Sequence, residues 1–182
     1  MCKDLNFQKF LHKISIPYEK SGNARTFLLL NEQKSIIGYY SLVSNTISIE
    51  DSQLSHSMEH KIRGVGNSSA DHIPGFLIGQ LARHDECEKA DLDGSNILNY
   101  AIDQLTEIHN KIGGRFILIH CIDDLLAFYN QNGFIEVGRK NKLNIIDKVV
   151  LDFLIPTICL KLFIRNNYMK SYLNKRLLLD DL

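Results

Sequence analysis

The sequence predicts a mixed α/β fold: a mostly antiparallel sheet with one parallel crossover, flanked by helices. Three observations carry that expectation. Two β-rich runs within "ARTFLLLNEQKSIIGYYSLVSNTISIED" flank a short polar turn from Asn31 to Ser35, as in an antiparallel hairpin. Residues Ile97, Leu98, Ala101, Ile102, Leu105, Ile108 and Ile112 mark one face of a long helix, closed by Gly113 and Gly114. Strand-like "HIPGFLIGQLARH" precedes that helix, and the continuously apolar "RFILIHCI" follows it, as expected of a strand buried on both faces. Strand, helix and strand in this order make a parallel crossover.

The remaining elements follow in chain order. Residues 4 to 14, "DLNFQKFLHKI", place Leu5, Phe7, Phe10, Leu11 and Ile14 at helical spacing, with Asp4 as N-cap. After the hairpin, the polar residues 52 to 72 are read as a short helix over 52 to 63 and a loop. Pro74 stands at the entry of the next strand, where a missing N–H is tolerated. The acidic "DECEKADLDGS" leads into the long helix. "LLAFYNQNGF", residues 125 to 134, reads as a short helix stopped by Asn132 and Gly133, followed by the strand "FIEVG". Beyond a basic stretch, "TICLKLFI" (157–164) is expected as the closing strand, and 166–182 as a helical tail. No repeat or linker divides the chain, so 1–182 is read as a single domain with its core in 5–138 and 157–164.

Composition narrows the function. The chain has 182 residues, 45% hydrophobic and 23% charged, which suits a globular domain with a full core. No apolar run approaches the roughly 20 residues that a membrane span needs. The start, "MCKDLNFQKF", lacks the pattern of a secretory signal. Cys2, Cys87, Cys121 and Cys159 are scattered, and two lie in strand-like runs, so free thiols in a cytoplasmic protein are expected. Net charge is zero, which argues against a uniformly basic nucleic-acid binder. Residues 139–176 nevertheless hold nine Lys or Arg against Asp147 and Asp152. That segment is either a solvated positive face or a footprint for a phosphate-rich partner.

The order of elements together with local motifs resembles the GNAT superfamily of acetyl-CoA-dependent N-acetyltransferases. Within it, the chain is most similar to the toxins of bacterial type II toxin–antitoxin modules. "LNFQKFLHKI" resembles the early L-x-x-F-L helix, and "IPGFLIGQLARH" the central strand P-x-x-L-L-G-R-L-A-V. "LLAFYNQNGF" resembles A-x-x-F-Y-x-x-x-G-F. The resemblance implies acetyl-CoA as cofactor and a primary amine as acceptor, with the α-amine of an aminoacyl-tRNA as the toxin-like case. It also implies an antitoxin or a second copy of the chain as protein partners.

Residue by residue, the resemblance implies that Tyr129 protonates the leaving sulfur; packing alone is the plainer role for the same tyrosine. It places the cofactor along Leu81, Ala82 and Arg83 of the central strand and along Lys89, Ala90, Asp91, Leu92, Asp93, Gly94 and Ser95. The family pattern Q/R-x-x-G-x-G/A falls on "KADLDG", where only the last glycine is kept and Leu92 replaces the middle one. Asp91 and Asp93 would repel a pyrophosphate if they faced it, and Lys89 would partly offset them. Restoring the family pattern with Leu92→Gly together with Asp93→Asn is therefore expected to tighten cofactor binding. The family's first strand is missing at the amino end.

Tyr39 and Tyr40 alternate faces on the hairpin, so one is expected in the core and the other along an acceptor groove. His120, at the end of the buried strand, is read as a satisfied core histidine or a helper base. His84, Cys87, His120 and Cys121 include an H-x-x-C spacing, but no second pair supports zinc, and no metal is expected. Two other functions stay open: acetylation of a small or protein amine, and a GNAT-fold binding module whose degenerate loop has lost acetyl-CoA.

Overall fold

A computed structural model describes residues 9–49, 54–64, 69–89 and 91–138, and the backbone of 139–140 and 145–150. A π-helical turn, Phe10–Ile14, runs into α1, Ser15–Ser21. Strands β1 (Arg25–Leu30) and β2 (Ile36–Ser48) follow, then helix α2 (His56–Arg63) and strand β3 (His72–Arg83). Helix α3 (Gly94–Ile112) leads to β4 (Ile117–Cys121), a 3-10 turn (Asp123–Leu125) and α4 (Leu126–Gln131). Strands β5 (Ile135–Lys140) and β6 (Ile145–Val150) close the described chain. The sheet order is β1-β2-β3-β4-β6-β5. β3 and β4 pair in parallel, with Phe76, Leu77 and Ile78 opposite Ile117, Leu118 and Ile119. β6 pairs antiparallel with both β4 and β5. The expected mixed sheet with one parallel crossover is therefore present.

The described residues fall into two compact units, and β2, β3 and α3 each contribute to both. The first unit holds the residues up to Ser41 and Gln80–Ile97. Its core joins Phe10, Tyr39 and Ala82, with Leu11, Ile14 and Leu28 packed against them. Asn31 organises the β1–β2 turn: its side-chain oxygen accepts from the Ser35 N–H at 2.8 Å, and Lys34 takes the left-handed backbone. The second unit holds Leu42–Gly79 and the described residues from Leu98 onward. Its core joins Ile49, Ile62, Ile73, Phe116 and Leu118. Gly75 makes room there, because a Cβ at that position would meet the Phe116 ring at 2.7 Å. Ser55 caps α2 by accepting from the Met58 N–H.

Two elements differ from expectation. The first helix continues past Ile14 to Ser21, and Pro17, which has no N–H to donate, follows shortly after the π-helical turn. β6, "IIDKVV", was hidden inside what reads as a basic stretch, since Asp147 and Lys148 interrupt its apolar character. The proposed closing strand 157–164, the tail 166–182, most of the basic segment, Cys2, Cys159 and the helix start at residues 4–8 lie outside the described residues.

Candidate active site

The loop between β3 and α3 is built from its own backbone. The His84 N–H extends the strand pairing by donating to the Ile37 carbonyl at 2.8 Å. The N–H groups of Asp91 and Leu92 both donate to the Glu88 carbonyl at 3.1 Å, and the Arg83 guanidinium donates to the Leu92 carbonyl at 3.1 Å. Arg83 is thus a brace for the loop. The Leu92 side chain points inward and is 1% exposed. It lies against Gly38, whose missing Cβ leaves the space. Lys89 and Asp91 are exposed, and Ala90 lies outside the described residues.

The loop ends at the amino terminus of α3. An Asp93 carboxylate oxygen accepts from the Gly94 N–H at 2.8 Å, and the Asp93 carbonyl accepts from Asn96 and Ile97 at 3.0 and 3.3 Å. The Ser95 N–H has no acceptor among the described residues. A phosphate group fits this place in two respects. A 19-residue helix directs partial positive charge and one open donor outward, and the Leu92 side chain, turned inward, does not cover that terminus. The Asp93 carboxylate opposes it by holding the adjacent donor.

Tyr129 lies on α4, 6% exposed, with its ring edge-on to Phe128 (5.0 Å) and Phe134 (5.7 Å). Its carbonyl accepts from the Phe134 N–H at 3.0 Å, so the turn after the helix is tied back to the tyrosine. No hydrogen bond reaches its hydroxyl among the described residues. Burial, and then the charge that the Cys121 thiol would carry if ionised, push its pKa up from 10.0 to about 12. At neutral pH the phenol is protonated and has a hydrogen to donate.

The other candidates fall out differently. Tyr39 and Tyr40 do take separate surroundings, Tyr39 stacked on Phe10 and Tyr40 on Phe27, but both are buried, at 4% and 3% exposure. Neither lines an open groove, because each face of β2 at this point is covered by an aromatic ring. His120 is exposed and so is no core histidine; on β4 it is the one outward residue between buried Ile119 and Cys121. Leu81 is half-buried and Ala82 belongs to the core. Cys87 and Cys121 are free thiols, and no group of three metal-ligating side chains occurs among the described residues. No helix of the described residues is long and apolar enough to cross a membrane. Sequence reading missed Gly38, and it did not connect Cys121 with Tyr129. A glycine inside a strand signals close approach by a neighbour, and that signal was available for Gly38.

No family model matches the chain. It is similar to a tRNA-acetylating toxin of Mycobacterium tuberculosis, 27% identical over 137 residues that make up 75% of each chain. Its structure resembles AtaT complexed with acetyl-methionyl-tRNAfMet, with a TM-score of 0.63 and 19% identity, covering 90% of this chain and 89% of that one. It also resembles a mutant AtaT toxin bound to the C-terminus of the antitoxin AtaR and acetyl-CoA, with a TM-score of 0.59 and 16% identity, covering 91% and 88%. The chain has the GNAT fold found in these toxin–antitoxin toxins.

Proposed function

We propose that this GNAT-fold chain is a cytoplasmic, acetyl-CoA-dependent N-acetyltransferase acting on the α-amine of an aminoacyl-tRNA. The similarity to a tRNA-acetylating toxin over three quarters of both chains carries this reading. The geometry of Tyr129 and of the α3 terminus is compatible with it. A partner antitoxin, of the kind bound to AtaT, belongs to the same proposal.

The chemistry asked of the residues is modest. Bound acetyl-CoA would supply an acetyl group already activated as a thioester. An α-amine has a pKa near 8, so a large fraction is neutral and nucleophilic without a strong base. Main-chain donors of β3 near Leu81–Arg83 would hold the developing oxyanion. The Ser95 N–H and the α3 dipole would hold the phosphates, with Arg83 keeping the loop in shape. Tyr129 would offer its phenolic proton to the departing sulfur. Transfer from a phenol at about 12 to a thiolate near 8.5 is uphill by roughly 5 kcal/mol. Tyr129 is therefore best used as a hydrogen-bond donor that keeps its proton, while the proton lost by the attacking amine neutralises the departing thiolate through solvent.

The test is direct. Purified chain, acetyl-CoA and a set of charged tRNAs should give acetylated aminoacyl-tRNA, read by mass spectrometry of the released amino acid. Acetyl-CoA binding with no acetylation of any charged tRNA, but of a small amine, would move the protein to the small-amine class. Absence of acetyl-CoA binding by calorimetry would leave a partner-binding module.

A further inference from the structure

A basic cavity in the second unit has no part in the site described above. It is about 480 Å³ in volume and is lined by His60, Lys61, Gly64 and Arg115. Arg115 is fixed in place: its guanidinium donates to the carbonyls of Ile62 at 3.2 Å and Lys61 at 3.0 Å, the open carbonyls at the end of α2. Gly64, with a left-handed φ of 74°, lies directly against that guanidinium, where any Cβ would collide with it. Two bonds of the five available to an arginine are used, so the group retains donors as well as its full charge.

Among the described residues, no carboxylate neutralises the charge at this place. Glu59, the carboxylate on α2, is committed to Arg63, with contacts of 2.9 and 3.0 Å, and is also approached by His56. Among the described residues neither Lys61 nor Arg115 has a carboxylate partner, and His60 has none either. Arg115 outweighs the roughly half negative charge at the helix end. The cavity is open and offers no apolar enclosure for a small molecule. A fixed guanidinium with a mobile ammonium and an imidazole beside it suits the repeated phosphates of a nucleic-acid backbone.

We infer that His60, Lys61 and Arg115 form a phosphate-backbone contact for the acceptor RNA. This rests on the tRNA reading of the function. Lys61→Gln and the double variant His60→Gln/Lys61→Gln leave the Arg115 brace untouched. Binding of charged tRNA would be followed by fluorescence anisotropy across a salt series, with Lys20→Gln in α1 as the control for general charge loss. Each lost phosphate contact should weaken binding several-fold at low salt and lower the salt slope by about one. Acetyl-CoA affinity and turnover of an aminoacyl-nucleoside that lacks the tRNA body should stay at wild-type values. Wild-type tRNA affinity and slope in the double variant, or a loss no greater than that of Lys20→Gln, would overturn the assignment while leaving the acceptor reading intact. A wild-type chain with no salt-dependent tRNA binding would overturn both.

Discussion

Leu92 packs onto Gly38 so closely that a Cβ on that glycine would meet Leu92 Cδ2 at 3.1 Å and the Ala82 carbonyl at 2.9 Å. The pair turns the Leu92 side chain into the core, so it does not stand between the loop backbone and a phosphate that the proposed function would bring there. Gly38→Ala should therefore cost about 1–3 kcal/mol through overpacking and weaken acetyl-CoA binding by displacing the loop. Leu92→Gly, although it restores the family pattern, should cost on the order of 2–5 kcal/mol and fail to tighten binding. Urea unfolding and calorimetry measure the two effects. Full stability in Leu92→Gly would show that the contact does not hold the loop.

Tyr129→Phe isolates the hydroxyl. The edge contacts with Phe128 and Phe134 survive the change, and no hydrogen bond to the hydroxyl is lost among the described residues. Stability should stay within about 1 kcal/mol, and acetyl-CoA affinity should be unchanged. Turnover should fall at least about tenfold, the signature of a donor used only in the transition state. Unchanged turnover with a good acceptor would remove Tyr129 from the chemistry and leave it a packing tyrosine.

The raised pKa of Tyr129 fixes two pH dependences. Its folded value, about 12, exceeds the ordinary 10.0 of the unfolded chain. The associated stability is thus fully present below pH 10 and is lost as pH rises through 12, up to about 3 kcal/mol. Wild type should lose stability more steeply than Tyr129→Phe across that window, as measured by urea unfolding at fixed pH. Activity should rise with deprotonation of the acceptor amine near pH 8 and show no descending limb near 10. A limb at 10 in wild type that is missing from Tyr129→Phe would mean that the phenol titrates normally.

Much of the fold was legible because its signals are periodic. The seven apolar positions of α3 and the unbroken run of β4 each admit one reading, and the Asn31 turn has its own side-chain chemistry. β6 was not legible, because Asp147 and Lys148 break the apolar run that marks a buried strand. At the candidate site, the position of Tyr129 on a short helix ahead of Gly133 could be read from the sequence; its burial and its electrostatic coupling to Cys121 could not, since they depend on how separate elements pack. The direction of Leu92 was not legible, for a physical reason. Loop patterns describe backbone needs, and only the partner strand with Gly38 reveals where the side chain goes.

Asp93 carries the last prediction, because one carboxylate both builds the α3 terminus and opposes its use. Its side chain accepts from the Gly94 N–H, so removing that side chain should loosen the helix start, while the main-chain carbonyl keeps its bonds from Asn96 and Ile97 in any variant. Asparagine keeps an oxygen acceptor and caps helices as well as aspartate does, but it brings no charge. A carboxylate about 6 Å from a phosphate at an effective dielectric near 20 costs up to roughly 3 kcal/mol, less where water screens it. Asp93→Asn should accordingly tighten acetyl-CoA binding by several-fold or more at low ionic strength, with little change in the melting temperature of the free protein. The gain should shrink as salt shortens the screening length from about 10 Å at 0.1 M to about 3 Å at 1 M. Asp93→Ala should lower the melting temperature, since the cap is lost at a cost of about 1 kcal/mol. Calorimetry across a salt series reads the binding, and thermal unfolding of the free protein reads the cap. Equal affinity of wild type and Asp93→Asn at every salt concentration would mean that the carboxylate turns away from the phosphates when they bind.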